Sequence, residues 1–375
     1  MKFKTFELER NMSVWEHAVD YNLSESGVHP LTLKEVLTPQ ELEEVTELVL
    51  YYTEANGTAE LREIVAAMYP GATPDHVLIT NGSAEANFLC TMALLEPGDE
   101  LIYMVPNYLQ IGTLAESIGV IVKPIRLRPE QNWQIDLDEL NALVNPKTKM
   151  IAVCTPNNPT GAIMSAEVMA EVHRIADEHD LYLLSDEVYR GAELSGVESP
   201  TVYSGRKKDI VNSGLSKAYR LPGLRLGWSV TDPDTIWNLW TLHDYTTISI
   251  GIISDTIATK VLQPERRRDL LGGTTAFLRT NLAILTDWIE SQNGLFSFTP
   301  PEAAAIAFPK YHLDIPSVEL IKKVRDEKSV LIMPGDWFGV EKHVRIGYGA
   351  PSDYLRKGLS LMEETLAGLR EPVRA

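Results

Sequence analysis

Two cations stand eight residues apart in the run VNSGLSKAYRLPGLRLGW (211–228): Lys217 and Arg225. An amine just past a strand end, drawn out of water, loses pKa and becomes able to form a Schiff base. A guanidinium near it grips a phosphate with two parallel hydrogen bonds. A second candidate for the same phosphate is TNGSAEANFL (80–89). There Gly82 permits a tight turn, and the amides of Ser83 and Ala84 open a helix at the end where anions collect. The composition equally suits a plain strand-to-helix turn. CTPNNPTGA (154–162) places Asn158 in a turn at a strand's carboxyl edge, where open α/β sheets bind ligands. In LLSDEVYRG, Asp186 closes an apolar run, so its carboxylate is expected to be partly buried and in need of a cationic partner. Arg190 or a protonated ring nitrogen would serve. A lone strand-end lysine is usually a solvated surface residue. Lysine, aspartate, asparagine and an anion turn on one sheet edge instead point to a common ligand.

The elements that must position these residues are legible as alternating apolar runs and amphipathic stretches between about 75 and 230. Strands are expected at 76–80, 100–105, 119–127, 149–155, 181–186, 209–214 and 226–231. Between the fourth and fifth, SAEVMAEVHRIADEHD reads as a crossover helix capped by Ser165, with Val168, Val172, Ile175 and Ala176 on one face. Beyond residue 250 long helical patterns surround AAAIAFPKY and HVRIGYG, two short strand candidates. The expected fold is α/β: a large domain on a mostly parallel seven-stranded sheet and a smaller α+β domain. The expected division is an arm over 1–30, a large domain over 31–250 and a small one over 251–375.

With 52 acidic against 34 basic residues the net charge is −18, which repels nucleic acid and anionic membrane surfaces. No apolar run is long enough for a membrane span, and the charged start is unlike a secretory leader. The cysteines, Cys90 and Cys154, sit unpaired in apolar segments, as buried thiols of a reducing cytoplasm do. No metal-ligand spacing occurs, so a cytoplasmic enzyme without a metal is expected.

NNPTG, SDEVY and LSKAYRLPGLRLGW, in this order and spacing, resemble the fold-type I pyridoxal-phosphate enzymes of the class I/II aminotransferase family. The resemblance runs from about residue 10 to 365. It implies pyridoxal 5'-phosphate as cofactor, Lys217 as its Schiff-base lysine and proton shuttle, and Asp186 as partner of the pyridinium nitrogen. Asn158 and Tyr189 would hydrogen-bond the phenolic oxygen, and Tyr108 would stack on the ring. Ser83, Ala84 and Arg225 would hold the phosphate. Tyr52 would reach the neighbouring subunit's phosphate, implying a homodimer with shared sites, and Arg345 would bind the substrate α-carboxylate. The family usually has Ser or Thr three before the lysine. Here that position is Gly214, so Ser213 or Ser216 substitutes or one phosphate contact is missing.

The segment MSVWEHAVDYNLSESGVHPLTLKEV, together with HDYTTISIGI and VLIMPGDWFG, is similar to the branch that acts on arginine and hydroxyarginine: capreomycidine synthase, enduracididine-forming cyclodehydratases and arginine oxidases. It implies cyclodehydration of a hydroxy-L-arginine through aldimine and quinonoid stages. Ordinary transamination to a 2-oxo acid and oxygen-dependent arginine oxidation are the alternatives. A guanidinium calls for carboxylates, and Glu9, Glu16 and Glu25 lie where they would line the entrance. His29 would be a second acid/base beside Lys217. The same glutamates also suit a solvated helix, and His29 before Pro30 suits a turn.

Overall fold

A computed structural model describes residues 3–370. Its centre is a seven-stranded sheet built from β1 (Val77–Thr80), β2 (Glu100–Val105), β3 (Ile121–Arg126), β4 (Thr148–Cys154), β5 (Tyr182–Asp186), β6 (Asp209–Gly214) and β7 (Gly227–Val230). The spatial order is β1-β7-β6-β5-β4-β2-β3. All neighbours run parallel except β7, which is antiparallel to both β1 and β6. Successive side chains of these strands enter two different cores. Ile79, Met104, Ile151, Val153, Leu183 and Val211 face one, and Leu78, Tyr103, Met150, Ala152, Leu184 and Ile210 face the other. Burial on both faces is why these strands read as continuous apolar runs. β3 is the exception: it lies at the edge, is largely exposed and tolerates Pro124.

Four helices matter for the site: α1 (Glu7–Trp15), α2 (Ser83–Leu94), α3 (Ala166–Glu178) and α4 (Pro264–Ser291). α3 is the crossover, and the hydroxyl of Ser165 accepts from the Val168 amide as its cap. Its buried face is Met169, Val172, Ile175 and Ala176; Val168, expected on that face, lies at its margin. α4 braces the loop after β6. Arg267 donates to the Tyr219 hydroxyl at 2.9 Å, and Thr274 donates to the Ala218 carbonyl at 2.9 Å.

Beyond α4, short antiparallel strands at Ile306–Ala307, Val344–Gly347 and Met333–Pro334 form a small sheet. The N-terminal segment is stitched to this part. Tyr21–Asn22 pairs in parallel with Val330–Leu331, the Gly347 amide donates to Leu23 O, and the His29 amide donates to Gly349 O. A Cβ at Gly347 would stand 2.1 Å from the Glu25 carbonyl, and one at Gly349 2.1 Å from that of Gly27. Only glycines let the segment lie this close, and its closeness carries Glu25 and Ser26 over the sheet edge. No described helix is long and apolar enough to cross a membrane.

Candidate active site

β1, β2, β4, β5 and β6 all end at one edge of the sheet, and antiparallel β7 begins there. At or just beyond these strand ends stand Ser83, Tyr108, Asn158, Asp186, Lys217 and, just ahead of β7, Arg225, around a cavity of about 300 Å³. This is the carboxyl-edge geometry expected of an open α/β sheet.

Lys217 follows β6, and its Nζ lies 2.7 Å from Glu25 Oε1. Burial alone would lower the amine's pKa, but the Glu25 carboxylate and Tyr189 outweigh it, so the net shift is upward. The expectation of a depressed lysine therefore fails for this arrangement, because it counted desolvation without the partner that the N-terminal segment delivers. Glu25 answers in kind: chiefly through Lys217, its pKa falls to about 2.

Asp186 is 8% exposed. Its Oδ2 accepts from Asn87 Nδ2 at 2.9 Å and its Oδ1 from the Val188 amide at 3.1 Å. Burial pushes its pKa up, and Asn87 pulls it partway back. Arg190 turns away to the Ser199 carbonyl and Glu198, so it is not the partner of Asp186.

Asn158, Tyr189 and Arg345 form one chain. Arg345 Nη1 donates to Asn158 Oδ1 at 2.9 Å, Asn158 Nδ2 donates to the Tyr189 hydroxyl at 3.0 Å, and that hydroxyl donates to Ser26 Oγ at 2.9 Å. Arg345 is 1% exposed and has no carboxylate partner among the described residues; its Nη2 donates to the Ser24 carbonyl and its Nε has no partner. A buried guanidinium so placed lacks an anion.

The phosphate side is built from glycines. Gly82, at φ +79°, precedes α2, and a Cβ there would meet Arg225 Nη2 at 2.7 Å. Arg225 also has no carboxylate partner among the described residues; it donates to Ser216 Oγ at 3.3 Å and to the Pro222 carbonyl at 3.0 Å. The start of α2, Ser216 and Arg225 thus make an electropositive cradle of phosphate character. Ser213 is buried and donates to the Glu187 carbonyl, whereas Ser216 lines the cavity beside Arg225. A cationic phosphate cradle, a lysine, and a buried carboxylate lacking a cation fit pyridoxal phosphate in its donor set.

Glu9, Glu16 and Glu25 all line the cavity. Glu9 accepts from the Tyr108 hydroxyl at 2.7 Å, so α1 rests on the tyrosine, and Glu16 lies 3.5 Å from His17. Two expected residues fall elsewhere. His29 lines an adjoining pocket of about 350 Å³, which shares Glu25, Ser216 and Pro222 with the first but not Lys217. Tyr52 is 75% exposed and outside the cavity of its own chain. Sequence reading overlooked Asn87, Gln110 and Ser26. Asn87 follows Ser83 by four residues, one helical turn, so it faces the same cavity; Gln110 holds the Ala84 carbonyl at 2.9 Å.

The family profile described as aminotransferase class I and II matches residues 22–360. Capreomycidine synthase of Streptomyces vinaceus is 32% identical over 353 residues, covering 92% of this chain and 89% of the relative. Among solved structures, a PLP-dependent aminotransferase from Streptococcus suis superposes with a TM-score of 0.92 at 32% identity, covering 99% of this chain and 100% of the other. The PLP-dependent cyclase OrfR superposes with a TM-score of 0.88 at 26% identity, covering 98% of each chain.

Proposed function

The chain belongs to the aminotransferase class I and II family and is a pyridoxal-phosphate-dependent enzyme of that fold, and on this footing we propose that it cyclises a hydroxylated L-arginine with loss of water. The observation that carries the reading is the set of carboxylates Glu9, Glu16 and Glu25 on the same cavity as Lys217 and Arg345. The similarity to capreomycidine synthase and to a PLP-dependent cyclase supports it.

In this reading Lys217 holds the cofactor, Asp186 faces its ring nitrogen, and Asn158 and Tyr189 face its phenolic oxygen. Tyr108 lies against the ring, and Ser83, Ala84, Ser216 and Arg225 take its phosphate. The bound cofactor supplies an aldehyde for the substrate amine and an electron-withdrawing ring that stabilises charge at the α-carbon. Arg345, buried and without an anion, binds the α-carboxylate. That anchors one end of the substrate, and its guanidinium points to the glutamates of the N-terminal segment. Glu25, whose pKa the Lys217 charge holds well below the ordinary carboxylate range, is the anion nearest that lysine. Lys217 Nζ removes the α-proton and is the protonated group positioned to give a proton to the departing hydroxyl. A C–O bond breaks and one water leaves; a C–N bond then closes the ring, the proton shed by the attacking guanidino nitrogen returns through Lys217 to the α-carbon, and no electrons are exchanged with a co-substrate. α1 covers the cavity, with Leu8 and Met12 buried beneath it, and limits water at this step.

The test incubates the holoenzyme with L-arginine, 3-hydroxy-L-arginine or 4-hydroxy-L-arginine, with no 2-oxo acid present. Loss of one water without ammonia release or oxygen uptake is the expected result. Turnover only when a 2-oxo acid is added would establish transamination instead, the reading favoured by the Streptococcus suis aminotransferase at equal identity. Oxygen uptake with arginine would establish oxidation.

A further inference from the structure

Polar side chains penetrate the sheet core behind the cavity. Asp186, Asn212 and Ser229 stand side by side on β5, β6 and β7: Asp186 is in register with Asn212, and Asn212 with Ser229. Register partners share a face, and this face packs on α2, from which Asn87 projects. Asn212 and Ser229 are 0% exposed, Asn87 is 2% exposed, and neither Asn212 nor Ser229 lines the cavity. Polar groups buried this deeply cost stability unless a hydrogen-bonded purpose holds them there.

Their shortest hydrogen bonds run in one direction, and Cys90 flanks them, its Sγ donating to Asn212 Oδ1 at 3.7 Å and accepting from Asn212 Nδ2 at 3.5 Å. Ser229 Oγ donates to Asn212 Oδ1 at 2.6 Å. Asn212 Nδ2 donates to Asn87 Oδ1 at 2.9 Å. Asn87 Nδ2 donates to Asp186 Oδ2 at 2.9 Å. Gln110 fixes the near end, since Asn87 Nδ2 also reaches its Oε1 at 3.3 Å. Each amide is oriented by the one behind it: without the donor from Asn212, the Asn87 amide could turn its oxygen toward the carboxylate. We propose that Ser229, Asn212 and Asn87 form a polarised relay that keeps Asp186 anionic and aimed, so that bound pyridoxal phosphate keeps a protonated ring nitrogen. Asn212 and Ser229 are positioning residues, acting from outside the cavity. The inference rests on Asp186 as the ring-nitrogen partner.

The other titratable groups around Asp186 are Lys217, Glu187, Tyr103, Tyr108 and Cys154. None of them hydrogen-bonds its carboxylate, so Asn87 and the Val188 amide are its direct donors among the described residues. Burial raises the Asp186 pKa, and the Asn87 bond is the largest influence that opposes the rise.

The experiment compares wild-type holoenzyme with Asn212→Asp, Ser229→Ala and Asp186→Asn. Asn212→Asp is isosteric, but its carboxylate cannot donate to Asn87. Three readouts are taken: the cofactor dissociation constant, the pH midpoint of the visible absorption band, and Tm. Asn212→Asp is expected to weaken cofactor binding roughly 10- to 100-fold, the span of one hydrogen bond to a charged group. The band's midpoint is expected to rise, because a ring nitrogen that is less firmly protonated repels a second proton less. Ser229→Ala should move both in the same direction by a smaller factor, and it decides alone if Asn212→Asp does not fold. A fall in Tm with wild-type affinity and midpoint, while Asp186→Asn alters both, overturns the relay and leaves the role of Asp186 standing. Wild-type values in Asp186→Asn as well would show that the premise has failed.

Discussion

Lys217 and Glu25 titrate against each other. The Glu25 pKa is drawn from 4.5 to about 2, chiefly by the Lys217 charge. A depressed carboxylate contributes stability above its unfolded value, and that stability is lost as pH falls through the folded one. The Lys217 amine, raised above 10.5, contributes below that value and loses it as pH climbs through the folded pKa. Nearly half of the Glu25 side chain remains accessible (47%), so solvent screening limits the pair to about 1 kcal/mol or less. With cofactor removed, the unfolding free energies of wild type and Glu25→Gln should therefore differ most between about pH 4.5 and 10.5. The gap should close as acid takes the protein towards pH 2; urea titrations across pH measure it, and a gap that widens in acid contradicts the pairing. At this scale the sequence exposed residues with local signatures: Lys217 and Asp186 end apolar runs, and Asn158 sits in a turn. It did not expose Glu25 as the lysine's partner, because 192 residues separate them and tertiary packing alone joins them. Asn87 was overlooked because an asparagine inside a helical run looks like an ordinary polar position.

Among the elements, the sheet was the most readable part, since strands buried on both faces leave uninterrupted apolar runs. The seven expected strands are the seven of the sheet. The pairings of the N-terminal segment were not legible, because Tyr21–Asn22 is two residues long and its partner lies about 300 residues away. What positions the phosphate cradle is the contact between strand ends and the start of α2, which only glycines permit. A Cβ on Gly227 would stand 2.4 Å from the Ser83 amide nitrogen, and one on Gly214 would stand 2.9 Å from the Leu226 carbonyl. Gly214 and Gly227 are register partners, so the two constraints act at one level of the sheet. Gly214→Ser should therefore not restore a phosphate contact. It should cost about 1–3 kcal/mol as overpacking and weaken cofactor binding, with Gly227→Ala acting more severely. Thermal unfolding and cofactor titration of both variants check this; a Gly214→Ser protein with tighter cofactor binding would contradict it.

The whole molecule carries an apolar run that its own fold leaves uncovered. Val49, Leu50, Tyr51 and Tyr52 are 78%, 76%, 75% and 75% exposed, and Tyr245, at 86%, adds to the uncovered apolar surface. The Thr53 hydroxyl donates to the Ile250 carbonyl at 3.1 Å and pins the run beside residues 245–253. Uncovered apolar surface of this kind marks association. Tyr52 lies outside its own chain's cavity, so the expected reach to a phosphate requires a second copy to cover this run. We therefore expect a homodimer by sedimentation, with Leu50→Asp shifting it to monomer and releasing cofactor. Each copy carries a net charge of −18, so long-range repulsion opposes pairing and added salt should tighten the dimer. Tyr52→Phe separates the two roles of the run. It keeps the apolar ring and hence the dimer, but removes one hydrogen bond to a charged group, so cofactor affinity should fall roughly tenfold. An intact dimer with unchanged affinity would mean that the copies associate without sharing their sites.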